Sequence, residues 1–263
     1  MEEIQFQILP VTLLKDYLQQ IDKSAALNFE NLKDSELSAK AFSFYISVSA
    51  VFSSKIEGED IELDSFIKHK KLGVKFLPDY TQKIDDLYGA YLFAQKTPLN
   101  NTAVEKAHAL LTKHILQQTA RGKIRTGNMY VMTPEGRIEY VACSPAKVKT
   151  EIKKLYSDIA ALVNAELSFE ETLFFAALIH LVFVKIHPFD DGNGRTARLL
   201  EKWYLAQKLG GKAWFVQSEK HYYDNHSNYY NNIRLLGLEY ELLDYSQALP
   251  FLLMLPQALV VAD

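Results

Sequence analysis

A helix buried on every side constrains this chain most. Ser168, followed three residues later by Glu171, is a capping-box pattern. From Leu173 to Val184 every residue except His180 is apolar. That run is too short to span a bilayer and is broken by the histidine, so it reads as a core helix ending near Ile186. Pro188 stops it and fixes the next turn.

Helical periodicity dominates elsewhere. Leu37, Ala41, Phe44, Tyr45, Val48 and Phe52 form one face, and Ile84, Leu87, Tyr88, Tyr91 and Leu92 another. Thr102 with Glu105 makes a further capping box, opening a helix expected to run to about Gln118. Another helix is expected from near Gly194, carrying Arg198, Leu199, Leu200, Trp203 and Tyr204. One segment differs. Met129–Met132 and Arg137–Val141 are β-prone runs separated by Thr133-Pro134-Glu135-Gly136, a hairpin signal. The fold class is therefore mainly α with one hairpin. Lys68–Pro78 reads as an ordered connection, dividing an N-terminal helical extension (1–78) from the body (79–263). The apolar stretch Tyr240–Val261, broken by Pro250 and Pro256, is expected to pack on that body.

Composition acts by exclusion. Hydrophobic residues make up 48% of the 263, enough for a sizeable core. A net charge of −3 without a basic block argues against a nucleic-acid partner. The single cysteine, Cys143, excludes an internal disulfide and a cysteine-based zinc site and points to a reducing, cytoplasmic setting. The N-terminus lacks a signal pattern, and no membrane partner is expected.

The chemistry is concentrated in His187-Pro-Phe-Asp-Asp-Gly-Asn-Gly-Arg-Thr-Ala-Arg198. His187, held between a buried helix and a proline, is a candidate base for an attacking hydroxyl. Asp191 is the carboxylate expected to face phosphates with magnesium, which needs only one or two carboxylates; Asp190 reads as a solvated loop charge. Gly192, Asn193 and Gly194 before a helix N-terminus make an anion nest. Arg195 and Arg198, three apart, share a helix face and can clamp phosphate oxygens. The bland alternative for Arg198 is an ion pair with Glu201.

This stretch resembles the signature of the Fic family, His-Pro-Phe-x-(Asp/Glu)-Gly-Asn-Gly-Arg-x-x-Arg, at every specified position. The likeness extends to the apolar lead-in Ile179–Ile186, to Gly122-Lys123-Ile124-Arg125 upstream, and to Ser144-Pro145, where many members have two prolines. The resemblance implies a helical bundle with a β-hairpin flap and transfer of AMP from ATP to a Ser, Thr or Tyr hydroxyl of a target protein. It makes His187 the base and Asp191 the magnesium ligand. It puts Gly192, Asn193, Gly194 and Arg195 on the α- and β-phosphates and Arg198 on the γ-phosphate. The flap residues Tyr130, Val131 and Met132 would dock the target by strand addition, and Tyr229 and Tyr230 would lie near the adenine. Ser53-Ser54-Lys55-Ile56-Glu57-Gly58 matches the family's inhibitory pattern (Ser/Thr)-x-x-x-Glu-(Gly/Asn). Ser53, Glu57 and Gly58 would then be inhibitory, with Glu57 pairing with Arg198 in place of the γ-phosphate.

Three rivals stand beside this reading. Fic relatives also transfer phosphate, UMP or phosphocholine, or remove AMP. A helical interaction module with a vestigial nucleotide pocket is a rival of another class, against which the complete motif argues. A metal hydrolase is weaker, because His108/His114 and His221/His226 lack convincing ligand spacing. Self-modification and a homodimer are left open.

Overall fold

A computed structural model describes residues 5–39, 42–132, 136 and 138–260. The chain is mostly helical: α1 (Leu14–Gln20), α2 (Ala25–Asn31), α3 (Phe44–Ile56), α4 (Leu63–Leu72), α5 (Pro78–Gln95) and α6 (Asn101–Leu111) precede strands β1 (Tyr130–Met132) and β2 (Ile138–Val141). After them come α7 (Pro145–Asn164), α8 (Phe169–Ile186), α9 (Asn193–Leu209), α10 (Ser218–Asp224) and α11 (His226–Arg234). Two short helices, α12 (Leu249–Leu252) and α13 (Met254–Gln257), close the described chain.

The capping box forms: Ser168 Oγ accepts from the Glu171 amide, and the Glu171 carboxylate accepts from the Ser168 amide at 2.8 Å. α8 is buried on all sides from Thr172 to Phe183, as an all-round apolar helix must be. It packs on α9, with α7 and α12 against other faces. Among the described residues no helix is long and apolar enough to cross a membrane.

Three boundaries differ from the sequence expectation. α3 starts at Phe44, because Ser43 caps its first turn, and an Ala39–Phe42 bridge precedes it; Leu37 is exposed. α6 is capped by Asn100, whose side chain accepts from the Ala103 amide at 2.9 Å, so Thr102 lies inside the helix and the helix ends at Leu111. In the expected connection Lys68–Pro78, Lys68–Leu72 form the last part of α4, which Gly73 caps, and Pro78 opens α5.

β1 and β2 pair antiparallel, with Tyr130 opposite Val141 and a register shift at Val131/Met132. Thr133-Pro134-Glu135 and Arg137, part of the expected turn and strand, lie outside the described residues. Val141 also donates its amide to Leu238 O at 2.8 Å, tying the hairpin base to the segment after α11.

Buried side chains from both sides of residue 78, such as Ile46, Val51 and Phe66 with Leu87, Phe174 and Trp203, belong to one continuous core. α3 lies against α5, α9 and α10 inside that core. Ser49, Ser53 and Glu57, four apart, fall on one face of α3. That face meets Lys202 and Arg198, four apart on α9. Lys202, fully buried, donates to Ser49 Oγ at 2.6 Å and to the equally buried Glu219 of α10. Removing one partner of the Lys202–Glu219 pair costs about 3–5 kcal/mol, and the anchored Lys202 ties α3 to α9 at Ser49, two turns before Glu57.

Candidate active site

The junction of α8 and α9 builds the site. α8 ends in a left-handed residue, and that residue is His187, at φ 53 the one non-glycine with positive φ among the described residues. This conformation costs roughly 1–2 kcal/mol and is held by several bonds. The His187 amide donates to Phe183 O at 3.0 Å. Its Nδ1 lies 3.1 Å from Val184 O. A carbonyl only accepts, so Nδ1 carries the ring proton and Nε2 keeps the lone pair a base requires. Burial lowers the His187 pKa, with the Val184 bond partly opposing, and so favours the neutral ring.

Arg125 braces this junction. Its Nε donates to His187 O at 2.7 Å, Nη1 to Gly127 O at 2.7 Å, and Nη2 to Cys143 O; its own amide donates to Pro188 O at 2.9 Å. One guanidinium thereby joins the loop between α8 and α9 to the residues flanking the hairpin. A lysine cannot reproduce that fork. Arg125→Lys is expected to lower turnover about tenfold through loss of alignment and to lower the melting temperature, read by steady-state kinetics and thermal melts.

His108 supports the same loop from below. It stacks on Phe189 with ring centroids 3.7 Å apart. Its Nδ1 accepts from the Gly122 amide at 2.8 Å, so Nε2 donates to Asp191 O at 2.9 Å. Burial depresses its pKa to about 4, and it stays neutral.

Asn193 is turned inward. Its Oδ1 accepts from the Phe189 amide at 2.9 Å and its Nδ2 donates to Phe189 O at 2.8 Å, stapling the loop. Any phosphate contact from Asn193 is left to its backbone. Gly192, at φ 77, is the N-cap of α9. A Cβ there would also lie 2.7 Å from Thr112 Cγ2. Gly192→Ala should therefore destabilise the protein by about 3 kcal/mol, read as a lowered melting temperature. No side chain caps α9, and the amides of Asn193, Gly194 and Arg195 have no carbonyl one turn back, leaving donors for an anion. Arg195 points the same way: its Nε is buried without a partner, while Nη2 reaches Asp191 Oδ1 at 3.2 Å. Asp190 and Asp191 are both exposed at the cleft, the Asp191 carboxyl to 51%.

Glu57 occupies this anion site. Its Oε1 accepts from Arg198 Nη2 at 2.6 Å and would lie 2.5 Å from a Cβ placed on Gly194. Partial desolvation in the cleft, where the side chain stays 25% exposed, favours the neutral acid, but Arg198 and Arg195 outweigh it and hold the carboxyl below its ordinary range. Arg198 also donates Nε to Ser53 Oγ at 2.8 Å, Nη2 to Ser53 O at 3.0 Å and Nη1 to Tyr229 Oη at 3.2 Å. Gly58 ends α3 left-handed, at φ 88, with Gly58 N–H on Lys55 O and Glu59 N–H on Ser54 O, a Schellman closure that places Glu57 at the helix end. The Arg198–Glu201 pair does not form; Glu201 instead accepts from His180 and Tyr222.

A cleft of about 310 Å³ joins these groups. Glu57, His187, Asp191, Gly194 and Arg198 line it together with Tyr130, Val131, Tyr140 and Lys185. Tyr229 and Tyr230 line it too, although the Tyr229 ring is buried and its hydroxyl is taken by Arg198. Lys185 sits 4.3 Å above the Tyr140 ring and donates to Gly237 O at 3.1 Å; burial lowers its pKa to about 8. Met132 is exposed on the hairpin and does not line the cleft.

Helices around a histidine loop, with a hairpin over an anion nest, define a Fic-type fold. A solved structure with this fold is that of a Fic family protein from Desulfovibrio desulfuricans, with a TM-score of 0.67 at 20% identity over 97% of this chain and 73% of that one. Residues 98–205 match the Fic/DOC family model. A stretch of 80 residues, 30% of this chain, is 41% identical to the protein adenylyltransferase fic-1 of Caenorhabditis elegans. It spans 14% of that protein's length. A further 31 residues, 12% of this chain and 6% of the relative, are 61% identical to a uridine 5'-monophosphate transferase of Xanthomonas campestris pv. campestris.

Proposed function

We propose that this chain is a protein adenylyltransferase, moving AMP from ATP to a hydroxyl of a target protein, and that Glu57 holds it inhibited. The observation that carries this reading is the His187 ring, neutral with its lone pair on Nε2, beside the amides that open α9. Nε2 takes the proton of the target hydroxyl as its oxygen attacks the α-phosphorus; the bond to the bridging oxygen breaks and pyrophosphate leaves. The α9 amides and Arg195 stabilise charge on the phosphates, and Arg198 meets the terminal phosphate once Glu57 has turned away.

Magnesium fits as an ion carried by the nucleotide. Asp191 offers one carboxylate at the cleft, and no cluster of three ligand side chains exists among the described residues, a donor set that suits an ion completed by phosphates and water. Asp191 would hold it, and the ion would neutralise phosphate charge.

β1 pairs with β2 alone among the described strands, which leaves an edge at Tyr130–Met132 for an extended target segment. UMP transfer is the second reading, favoured by the likeness to the Xanthomonas transferase. Incubating Glu57→Gly protein with cell lysate and α-labelled ATP or UTP tests both. Protein-bound label from ATP supports the first reading, and label from UTP alone replaces it with the second.

A further inference from the structure

A chain of buried hydrogen bonds runs from Arg198 into the core and ends on a carboxylate. Arg198 Nη1 donates to Tyr229 Oη at 3.2 Å, and His180 Nε2 lies 3.0 Å from that hydroxyl. On the other side of the ring, His180 Nδ1 lies 2.7 Å from Glu201 Oε2, which also accepts from Tyr222 Oη at 2.8 Å. None of the five side chains is more than 1% exposed.

Chemistry sets the direction of every bond. A guanidinium only donates, so the Tyr229 oxygen accepts from Arg198. A carboxylate only accepts, so Nδ1 of His180 carries a proton. The Tyr229 proton then goes to His180 Nε2. With the Tyr229 hydroxyl donating to His180, the donors all point from Arg198 toward Glu201, and a buried cation and a buried carboxylate are coupled through two rings.

The partners of Arg198 divide by origin. Ser53 and Glu57 belong to α3, the inhibitory side. Among the described residues Tyr229 is its hydrogen-bond partner from elsewhere in the fold. The Tyr229 ring is wedged beside Tyr222 and Phe251, with centroids 5.0 and 5.8 Å away, so its hydroxyl stays in place whatever Glu57 does.

The geometry points to Tyr229, backed by His180 and Glu201, as a positioning residue that presents Arg198 to the terminal phosphate of a nucleoside triphosphate. This rests on the proposed reading of Arg198 as the γ-phosphate ligand. It also gives the Tyr229 hydroxyl a task other than the adenine contact expected from sequence.

The test compares ATP and ADP affinity, by calorimetry with magnesium, in Glu57→Gly protein with and without Tyr229→Phe. Phenylalanine keeps the ring and removes the hydroxyl. ATP affinity is expected to fall about tenfold while ADP affinity changes by less than about twofold, since a bond to a charged donor is lost at the terminal phosphate only. General loosening would weaken both alike, and thermal melts check for it. Glu201→Gln, which keeps the volume and removes the charge at the end of the chain, should shift the ratio the same way and carries the test if Tyr229→Phe fails to fold. An unchanged ATP-to-ADP ratio overturns the proposal. If Glu57→Gly protein already binds ATP and ADP equally, the γ-phosphate reading of Arg198 fails first and the positioning role falls with it, a result visible before Tyr229 is altered.

Discussion

Glu57→Gly is expected to raise the rate of AMP transfer by about a hundredfold. The wild-type carboxylate is ionised at neutral pH, because Arg198 and Arg195 outweigh the effect of its partial desolvation. It sits 2.6 Å from Arg198 Nη2 and against Gly194, where the proposed function puts the terminal phosphate. A charge-assisted bond of this kind contributes roughly 1.5–3 kcal/mol, and tenfold in population corresponds to about 1.4 kcal/mol, which sets the scale of release. α3 itself should stay docked. Ser53 still receives two bonds from Arg198, and Lys202 still holds Ser49 and Glu219. Release in the wild type is therefore a side-chain rotation, and the variant should keep its fold while melting somewhat lower, because the buried Arg198 loses its carboxylate partner. Initial rates with labelled ATP, alongside melting curves, check this; no gain in rate with ATP binding intact contradicts the inhibitory role.

The second large effect is a loss. In the Glu57→Gly background, His187→Ala should reduce the rate by about a thousandfold, within the range that positioned acid–base groups supply. Nucleotide affinity should change little, since the phosphate donors belong to α9. The same histidine sets the pH profile. Its pKa is lowered, burial being the largest cause, so the neutral base persists at lower pH than a free imidazole near about 6.5 allows. The rate should therefore hold steady as pH drops through that value and decline only below it, as protons return to Nε2. An acidic limb above about 6.5 in a pH–rate series on Glu57→Gly protein contradicts the assignment.

What was legible in the sequence was mostly local. The α8 capping box, its apolar run and the stop at Pro188 lie within about twenty residues, and all form. The turn into α9 was readable because glycines before a helix have a backbone purpose, and Gly192 is left-handed there. Boundaries failed where a stronger cap stood nearby: Asn100 caps α6 although Thr102 and Glu105 carry the box pattern. Contacts to backbone carbonyls left no trace, which is why the bracing by Arg125 was missed. His108 stands on the buried face of α6 with Val104, Ala107 and Leu111, and that placement in an apolar stripe was its one available signal. Helical spacing misled for Arg198 and Glu201. Residues three apart can pair on an exposed face, but these two are buried, so packing turns one toward α3 and the other toward α8 and α10. The 141 residues separating Glu57 from Arg198 put that pair beyond any periodicity argument; only the motif resemblance reached it.

The central claim is transfer of the nucleotidyl group by His187 from a site that Glu57 blocks. It is tested most directly by offering α-labelled and γ-labelled ATP, with magnesium and cell lysate, to wild type, Glu57→Gly and Glu57→Gly/His187→Ala. The account predicts protein-bound α-label above the lysate-only background with Glu57→Gly, little with wild type, none with the double variant, and no γ-label above that background with any of them. γ-Label that rises above the lysate-only background with Glu57→Gly, or equal α-label with and without His187, would contradict it.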